Sequence, residues 1–336
     1  MISFHESVPG KKKIKILAVI PNGGKKNSMV FSYRQMNSVK TSVIDVDIFV
    51  LKSRTSLKSL FYDMIVFWKK LTVFKPDIVH AQYGTVTSFF CALTTNRPLL
   101  ITFRGSDLNP ISGQNAFLVW VKHLLSQLST LRAQYIICVS QEVKGRLWWR
   151  KNRAIVMPTG VDPFLFKPLE VQSARERLGL SLTDRIVLFN VGKSPLGKRL
   201  DLAEEAIDFV MTKYQHICFI KLDGNIEPDE MPYYYNAADC LLLTSDNEGS
   251  PTVVQEALSC NCPVVSVDVG DVRNRLVGVW PSKIVKRDPS KIGQGIIEIF
   301  EIDKRSNGRD FIQDISLEEQ KVQLASIYQS MLDYAR

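Results

Sequence analysis

Short apolar runs recur along the chain, with amphipathic stretches between them. We predict ten strands, five before a break in the pattern and five after it: KILAVIP (15–21), DVDIFVL (45–51), DIVHAQ (77–82), PLLITF (98–103), YIICVS (135–140), then AIVMP (154–158), RIVLFNVG (185–192), ICFIKLDG (217–224), DCLLLTS (239–245) and PVVSVDVG (263–270). Helical periodicity marks six stretches: 28–40, 57–75, 115–132, 141–151, 200–214 and 290–302. Strands alternating with helices predict parallel sheets that are covered on both faces.

The strands are too many for one ordinary sheet. The segment TGVDPFLFKPLE (159–170) carries two prolines and a glycine and is typical of a linker. We therefore predict an α/β protein with two doubly wound domains, residues 1–165 and 166–315, followed by one amphipathic helix in the tail 316–336. Ligands of such folds bind outside the carboxyl ends of the strands. The cleft between the domains is thus the predicted site.

Composition narrows the class of protein. The 336 residues are 45% hydrophobic and carry a net charge of +9, which favours an anionic partner: a phosphorylated ligand, nucleic acid or an anionic membrane surface. No apolar run is long enough to span a bilayer, and no apolar segment precedes the lysines at 11–13. Six cysteines lie without metal-site spacing. We predict a cytoplasmic protein without a zinc site.

The stretch DNEGSPTVVQEALS (246–259) places Glu248 and Glu256 eight residues apart. Ser250 and Pro251 have the form of a helix N-cap followed by the first helical residue. Each glutamate alone is typical of a solvated position. The combination of both glutamates with EGSP favours a binding site.

The amides of Thr252 and Val253 at this helix start form an anion site. Glu256 follows Thr252 by four residues and therefore lies on the same helix face one turn deeper. A carboxylate there accepts two hydrogen bonds, as a ribose diol requires. A ligand with a diphosphate at the helix start and a ribose one turn further along the helix matches this layout. Glu248, before the helix, could then bind hydroxyls of the group attached to the diphosphate.

The loop NVGKSPLGK supplies Lys193 and Lys198 after a strand and a glycine. Two cations there could neutralise a leaving diphosphate, and a basic surface loop is the alternative. In the first half, Gly23 and Gly24 allow a backbone to approach a sugar or phosphate.

Three further residues stand at strand ends of the first half, His80, Arg104 and Asp107. His80 is a candidate base or acceptor ligand, with a satisfied structural role as the alternative. Arg104 and Asp107 in FRGSD either pair with each other or line the cleft.

Several ordered motifs resemble family-4 glycosyltransferases of the GT-B fold. They span about Lys15 to Leu276: HAQYG, FRGSD, VSQEVKGRL, PTGVDPFLFKP, VGKSPLGKRLDL, YYYNAADCLLLTS and EGSPTVVQEALSCNCPVV. The resemblance implies two Rossmann-like domains facing a cleft, with the C-terminal helix crossing back to the first domain. It also implies a retaining, metal-independent transfer of a sugar from a nucleoside diphosphate sugar, without a cofactor.

By this resemblance, Glu256 holds the ribose, Glu248 the donor sugar, and Lys193 and Lys198 the diphosphate. The nucleotide-binding set is Gly249, Ser250, Thr252, Val253 and Glu256, and the cleft set is Gly23, Gly24, His80, Arg104 and Asp107. Relatives commonly have Arg at the position of Lys193 and His at that of Arg104.

The resemblance implies a glycan or lipid-linked acceptor in surface or exopolysaccharide synthesis. The segment 56–75 mixes apolar and lysine residues, which suits peripheral contact with an anionic membrane at its cytoplasmic face, while packing on the sheet is the alternative. Two other functions remain open: a nucleotide-sugar epimerase of the same fold, and a noncatalytic sugar- or nucleic-acid-binding protein. No nucleic-acid-binding motif is present, so nucleic acid is not a predicted partner.

Overall fold

The structure is a computed structural model that describes residues 13–24, 28–109, 113–192 and 194–334. Its first half contains a parallel sheet of six strands: β1 (Ile14–Pro21), β2 (Ile44–Leu51), β3 (Ile78–Ala81), β4 (Leu99–Phe103), β5 (Tyr135–Cys138) and β6 (Ala154–Val156). The run at 154–158, grouped above with the second set, instead pairs with β5 at the edge of this first sheet. That grouping is wrong, because the break in the chain comes after β6.

The second half contains a parallel sheet of five strands: β7 (Arg185–Asn190), β8 (Ile217–Leu222), β9 (Cys240–Leu243), β10 (Val264–Val267) and β11 (Lys283–Val285). The sequence pattern does not predict β11, because its three residues are too few to show a period and are only half-buried. The predicted architecture of two doubly wound domains is confirmed.

Helices connect successive strands in both domains. The first domain has α1 (Val30–Val39), α2 (Leu57–Phe74), α3 (Thr85–Thr94), α4 (Ala116–Thr130) and α5 (Gln141–Gly145). The second has α6 (Val171–Leu178), α7 (Pro195–Lys198), α8 (Leu200–Met211), α9 (Met231–Ala237), α10 (Thr252–Ser259), α11 (Val272–Arg275) and α12 (Pro289–Ile302), and α13 (Leu317–Tyr334) follows. The helix predicted over 141–151 is wrong in length, since α5 ends at Gly145.

Strand order fixes where a ligand can bind. The order is β2-β1-β3-β4-β5-β6 in the first sheet and β8-β7-β9-β10-β11 in the second. In each sheet the order of the strands reverses between two neighbouring strands, β1 and β3 in the first sheet and β7 and β9 in the second. A crevice opens beyond the carboxyl ends of the strands at each of these points. The loops after these four strands are therefore the ones that form a site.

The core of the first domain has two layers around its sheet. Residues of α2 and α3 pack on one face, where Phe67 and Phe90 lie edge to face with ring centroids 5.3 Å apart. On the other face, Met36 of α1 packs with Leu324 and Tyr328 of α13. The C-terminal helix thus completes the core of the first domain, as the fold prediction requires. Among the described helices, none combines the length and hydropathy needed to cross a bilayer.

Candidate active site

A cavity of about 460 Å³ opens between the carboxyl edges of the two sheets. Its walls include Gly23, Tyr83 and Ser106 from the first domain and Asn190, Lys198 and Thr252 from the second. A second cavity of about 240 Å³ continues from it, because both are lined by Arg104, Ser106, Lys198, Glu248 and Gly249. The structure therefore brings together residues from both predicted site sets in one cleft.

The domains touch through two loops that contain glycine. Gly105 has a φ of 115°, and a Cβ built on it would lie 2.9 Å from the backbone of Gly249. A Cβ on Gly249 would lie 2.6 Å from the carbonyl oxygen of Arg104. Side chains of any size would hold these two loops apart. Gly249 thus permits the close approach of the domains as well as lining the cleft.

The helix start in EGSP differs from its prediction. Ser250 does not cap α10: its hydroxyl donates to Asp271 Oδ2 at 2.8 Å and accepts from Gln255 Nε2 at 2.7 Å. Pro251 stands at the cap position in extended conformation, and the helix begins at Thr252. Ser250 instead bonds to a carboxylate from another loop. This tertiary contact overrides the local preference of serine for the helix cap.

Thr252 and Val253 both line the larger cavity at the start of α10. The first amides of a helix have no partner within the helix, and the helix dipole adds a partial positive charge at this end. This start is therefore suited to an anion, although its cap is not the one predicted.

Glu256 lies one turn deeper in α10 and faces a pocket of about 180 Å³. Tyr235 of α9 donates its hydroxyl to Glu256 Oε2 at 2.8 Å, and Arg34 of α1 approaches Oε1 at 3.9 Å. The Glu256 side chain is 17% exposed. Burial raises the pKa of Glu256 to about 7, against the opposing effects of Tyr235 and Arg34. A ligand that hydrogen-bonds the carboxylate would favour its ionised form.

Lys198 and Glu248, both from the second domain, form an ion pair in the wall of the cleft. Lys198 Nζ lies 2.5 Å from Glu248 Oε1, and both side chains are mostly buried. The carbonyl of Glu248 accepts from Asn109 Nδ2 of the first domain at 2.9 Å. The pair places a cation and an acceptor side by side. Lys193, the other predicted cation, lies outside the described residues.

Arg104 lines both cavities, but its guanidinium is held by the first domain. Its Nη2 donates to Gln35 Oε1 at 2.8 Å and to Gln82 Oε1 at 2.5 Å, and its guanidinium carbon lies 4.9 Å from the centre of the Phe31 ring. Burial lowers the pKa of Arg104 to about 10, while the Asp107 carboxylate acts in the opposite sense. Arg104 is a fixed cation in the wall of the cleft.

Asp107 organises its own loop. Its carboxylate accepts from the backbone amides of Gly84, Arg104 and Gly105 at 2.9 to 3.0 Å, and only 2% of the residue is exposed. The prediction that Asp107 belongs to the cleft is corrected on this geometry. A carboxylate whose oxygens are occupied by three amides supports the loop that carries Arg104.

His80 is also placed away from the cleft. It is fully buried, with Nδ1 2.8 Å from the Tyr328 hydroxyl of α13 and Nε2 2.8 Å from the Thr102 hydroxyl. Burial, with a smaller effect from Arg104, lowers the pKa of His80 to about 3. The prediction that His80 lies in the cleft is therefore wrong. Its contacts are those of a structural residue with satisfied hydrogen bonds. Gly24 is exposed beside Gly23, which lines the larger cavity.

Sequence reasoning missed Arg34 and Tyr235, which contact Glu256. Tyr235 lies in YYYNAAD and shows no local sign of its role. Arg34 comes from a different domain, and only the fold brings it to the site. Ser106 and Tyr83 were also missed; their hydroxyls lie 2.7 Å apart in the cleft wall.

Two family models match the chain, one on each side of the linker. The model described as Glycosyltransferase Family 4 matches residues 27–164. The model described as Glycosyl transferases group 1 matches residues 178–305. Together they cover most of the chain, including all of the cleft-forming loops after β3, β7 and β9. The chain belongs to the family-4 glycosyltransferases of the GT-B fold.

Curated relatives carry the same activity in their names. The chain is 28% identical to the teichuronic acid biosynthesis glycosyltransferase TuaC of Bacillus subtilis (strain 168) over 221 residues, which is 59% of this chain and 54% of that protein. It is 28% identical over 153 residues to a D-inositol 3-phosphate glycosyltransferase of Xylanimonas cellulosilytica, which is 36% of each. The chain thus matches about half or less of the length of these relatives.

Solved structures share the whole fold. Sucrose-phosphate synthase of Thermosynechococcus elongatus superimposes with a TM-score of 0.78 at 16% identity, covering 96% of this chain and 100% of that one. Anabaena HepE in complex with UDP and glucose has a TM-score of 0.74 at 16% identity, covering 94% and 100%. The UDP-GlcNAc 2-epimerase of Neisseria meningitidis has a TM-score of 0.61 at 14% identity, also covering 94% and 100%. These likenesses establish the fold.

Proposed function

We propose that this glycosyltransferase uses a nucleoside diphosphate sugar and transfers the sugar with retention of anomeric configuration. The observation that carries the proposal is Glu256, buried one turn below the start of α10 and facing a pocket that adjoins the cleft. A diphosphate at the amides of Thr252 and Val253 directs a ribose towards this carboxylate. Its Oε2 already accepts from Tyr235, so Oε1 and the second lone pair of Oε2 are the acceptors for two hydroxyls.

Lys198 supplies positive charge at the other end of the diphosphate. In the structure it is paired with Glu248. A bound diphosphate competes for the ammonium group, which leaves Glu248 to accept hydrogen bonds from hydroxyls of the donor sugar. Lys193 is proposed as a second cation for the diphosphate. These lysines would take the place of a metal ion in balancing the charge of the leaving group.

The proposed step is a same-face substitution. The bond between the sugar C1 and the diphosphate oxygen breaks, and a bond forms from C1 to the acceptor oxygen on that face. The acceptor hydroxyl proton passes to an oxygen of the leaving phosphate, so no separate base is required. Charge builds on the diphosphate as the bond lengthens, where Lys198 and the α10 dipole stabilise it.

A calorimetric binding assay tests the nucleotide site. Wild-type protein should bind a nucleoside diphosphate, and Glu256→Ala should weaken that binding by about 1.5–3 kcal/mol, the range for a charged hydrogen bond. Glu176→Ala, at an exposed position of α6, is the matched control. Equal affinity of Glu256→Ala and wild type would refute the assignment.

A screen of nucleotide sugars separates transfer from epimerisation. The epimerase alternative draws support from the fold shared with UDP-GlcNAc 2-epimerases. Incubation of each donor without an acceptor should give slow hydrolysis and no epimer by NMR. Appearance of an epimer would favour the alternative.

For the acceptor, we propose a glycan or lipid-linked saccharide of a surface polysaccharide, a proposal that the name of TuaC, a teichuronic acid biosynthesis glycosyltransferase, supports. The outer face of α2 supports a membrane-bound acceptor. Leu60, Met64 and Phe67 of this helix pack on the core, whereas Phe61 and Trp68 are exposed on its flank. This exposed apolar flank is more than packing on the sheet requires.

The charge of the chain around α2 also supports contact with a membrane. Residues 52–134 contain ten basic and three acidic residues. The three acidic ones, Asp63, Asp77 and Asp107, are all buried or half-buried. Lys58 and Lys69 are exposed beside the apolar residues of α2. An exposed surface with lysines and aromatic residues suits the surface of an anionic bilayer.

Vesicle sedimentation tests this contact. The protein should pellet with phosphatidylglycerol vesicles at low salt, less at high salt, and little with phosphatidylcholine, at about 1 kcal/mol per engaged lysine. Lys58→Gln with Lys69→Gln should reduce pelleting, whereas Lys291→Gln with Lys304→Gln in the second domain should not. Equal and negligible pelleting with both lipids at low salt would favour a soluble acceptor.

A further inference from the structure

Arg34 lies on α1 of the first domain, but its contacts are with the second. Its Nη1 is 3.9 Å from Glu256 Oε1, and its Nη2 donates to the carbonyl of Pro228 at 3.5 Å and lies 3.9 Å from Asp229 Oδ1. Its guanidinium carbon is 5.4 Å from the centre of the Phe166 ring. The side chain therefore bridges the two domains.

The bridge stands beside the pocket that Glu256 faces. Arg34, Phe166 and Glu256 are among its walls. The pocket shares Phe31 and Thr252 with the larger cavity, so the two spaces are adjacent. A nucleotide with its diphosphate at the start of α10 would extend its ribose towards this pocket and towards Arg34.

The electrostatic surroundings of Glu256 explain what Arg34 can do. Burial alone drives the carboxyl towards its neutral form, whereas a guanidinium favours the ionised one. At 3.9 Å the Arg34 contact is a charge interaction and is too long for a hydrogen bond. It therefore leaves the hydrogen-bonding positions of Oε1 to a ligand. The titratable groups around the carboxyl are Arg34, Tyr235 and Cys260, with Asp162 in the wall of the same pocket and Asp229 beside Arg34.

We propose that Arg34 is a positioning residue for the donor nucleotide: from the first domain, its guanidinium orients the Glu256 carboxylate towards the ribose hydroxyls and favours its charged form. The inference rests on the proposed function, because it assumes that Glu256 accepts from the ribose. It adds a coupling between the domains. A ribose that holds Glu256 in its ionised form strengthens the attraction to Arg34, so nucleotide binding favours the contact of Arg34 with the second domain, and that contact favours nucleotide binding.

A double-mutant cycle with Arg34→Gln and Glu256→Gln tests the coupling. The probes are uridine diphosphate and guanosine diphosphate, measured by calorimetry on the full chain. At pH 7, Arg34→Gln should weaken binding of the accepted diphosphate about tenfold in the wild-type background, and should have no further effect with Glu256→Gln. Arg34→Lys should retain part of the affinity. Arg177→Gln, which removes a surface ion pair with Glu230, is the matched control.

The pH profile distinguishes positioning from a structural role. Affinity should fall as pH falls through about 7, because Glu256 becomes protonated. Loss of Arg34 should move this fall to higher pH and should matter least at pH 9, where Glu256 ionises without help. An Arg34→Gln defect that is independent of pH, or that persists with Glu256→Gln, would overturn the inference while leaving the nucleotide site intact. Wild-type protein that binds neither diphosphate would overturn the proposed function itself.

Discussion

Replacing Glu256 by glutamine should make the protein more stable at alkaline pH. Burial raises the pKa of Glu256 from its ordinary value of 4.5 to about 7. A raised pKa means that folding favours the protonated carboxyl, so its contribution to stability is complete below about pH 4.5 and is lost as pH rises through 7. At 1.36 kcal/mol for each pKa unit, the loss amounts to about 3 kcal/mol. Glutamine keeps the shape and an oxygen for the Tyr235 hydroxyl, and it does not ionise.

Urea-induced unfolding, followed by circular dichroism at pH 4.5, 6 and 8, provides the measurement. The unfolding free energy of wild type, less that of Glu256→Gln, should fall by about 3 kcal/mol from the lowest to the highest pH. Glu176→Gln should give a difference that does not change over this range. A constant difference for Glu256→Gln would show that the carboxylate is as well stabilised in the folded protein as in water, which would refute the reasoning. The same variant should bind nucleoside diphosphate poorly. Glu256 would then lower the free energy of unfolding at alkaline pH while it contributes to binding.

Three further predictions concern other parts of the cleft and its support. Lys198→Ala should lower kcat by about 100-fold, as for the loss of one electrostatic stabiliser. Near-wild-type turnover would show that the loop after β7 is a basic surface loop without a role in the reaction. Tyr328→Phe should remove the hydrogen bond between the Tyr328 hydroxyl and Nδ1 of buried His80, leaving the Thr102 contact at Nε2, and should cost about 1–3 kcal/mol in urea unfolding; an unchanged midpoint would contradict the role given to that hydrogen bond. Gly105→Ala should hold its loop away from Gly249, raising the radius of gyration in small-angle scattering and lowering kcat/KM, whereas unchanged scattering would mean that the contact is not needed for closure.

The sequence was sufficient for the architecture because the central strands of both sheets are buried on both faces. Such strands are continuous apolar runs, and ten of the eleven could be located. The strand β11 is too short to be detected. The helix α3 was missed because TVTSFFCALT is rich in β-branched residues and is largely buried, which removes the helical alternation of polar and apolar positions.

The site was predictable only as far as its residues are neighbours in sequence. Glu256, Thr252 and Val253 follow from helical spacing within one motif. The partner of Ser250 is Asp271, twenty-one positions away, so the expected cap could not be corrected from the local pattern. Arg34 reaches Glu256 only because two domains meet.

The connection between the domains determines how they can move. The chain leaves the first domain at Val161 and returns at Leu317, and these crossings are joined: Val161 donates to the carbonyl of Ile315 and accepts from the amide of Leu317, both at 2.9 Å. Two adjacent crossings act as a hinge on one side of the cleft. Val161 itself lines the Glu256 pocket, whereas the cavity around Lys198 is lined by other segments. With a rotation about this hinge, a small displacement beside the Glu256 pocket becomes a wide opening around Lys198, where we propose that the acceptor enters.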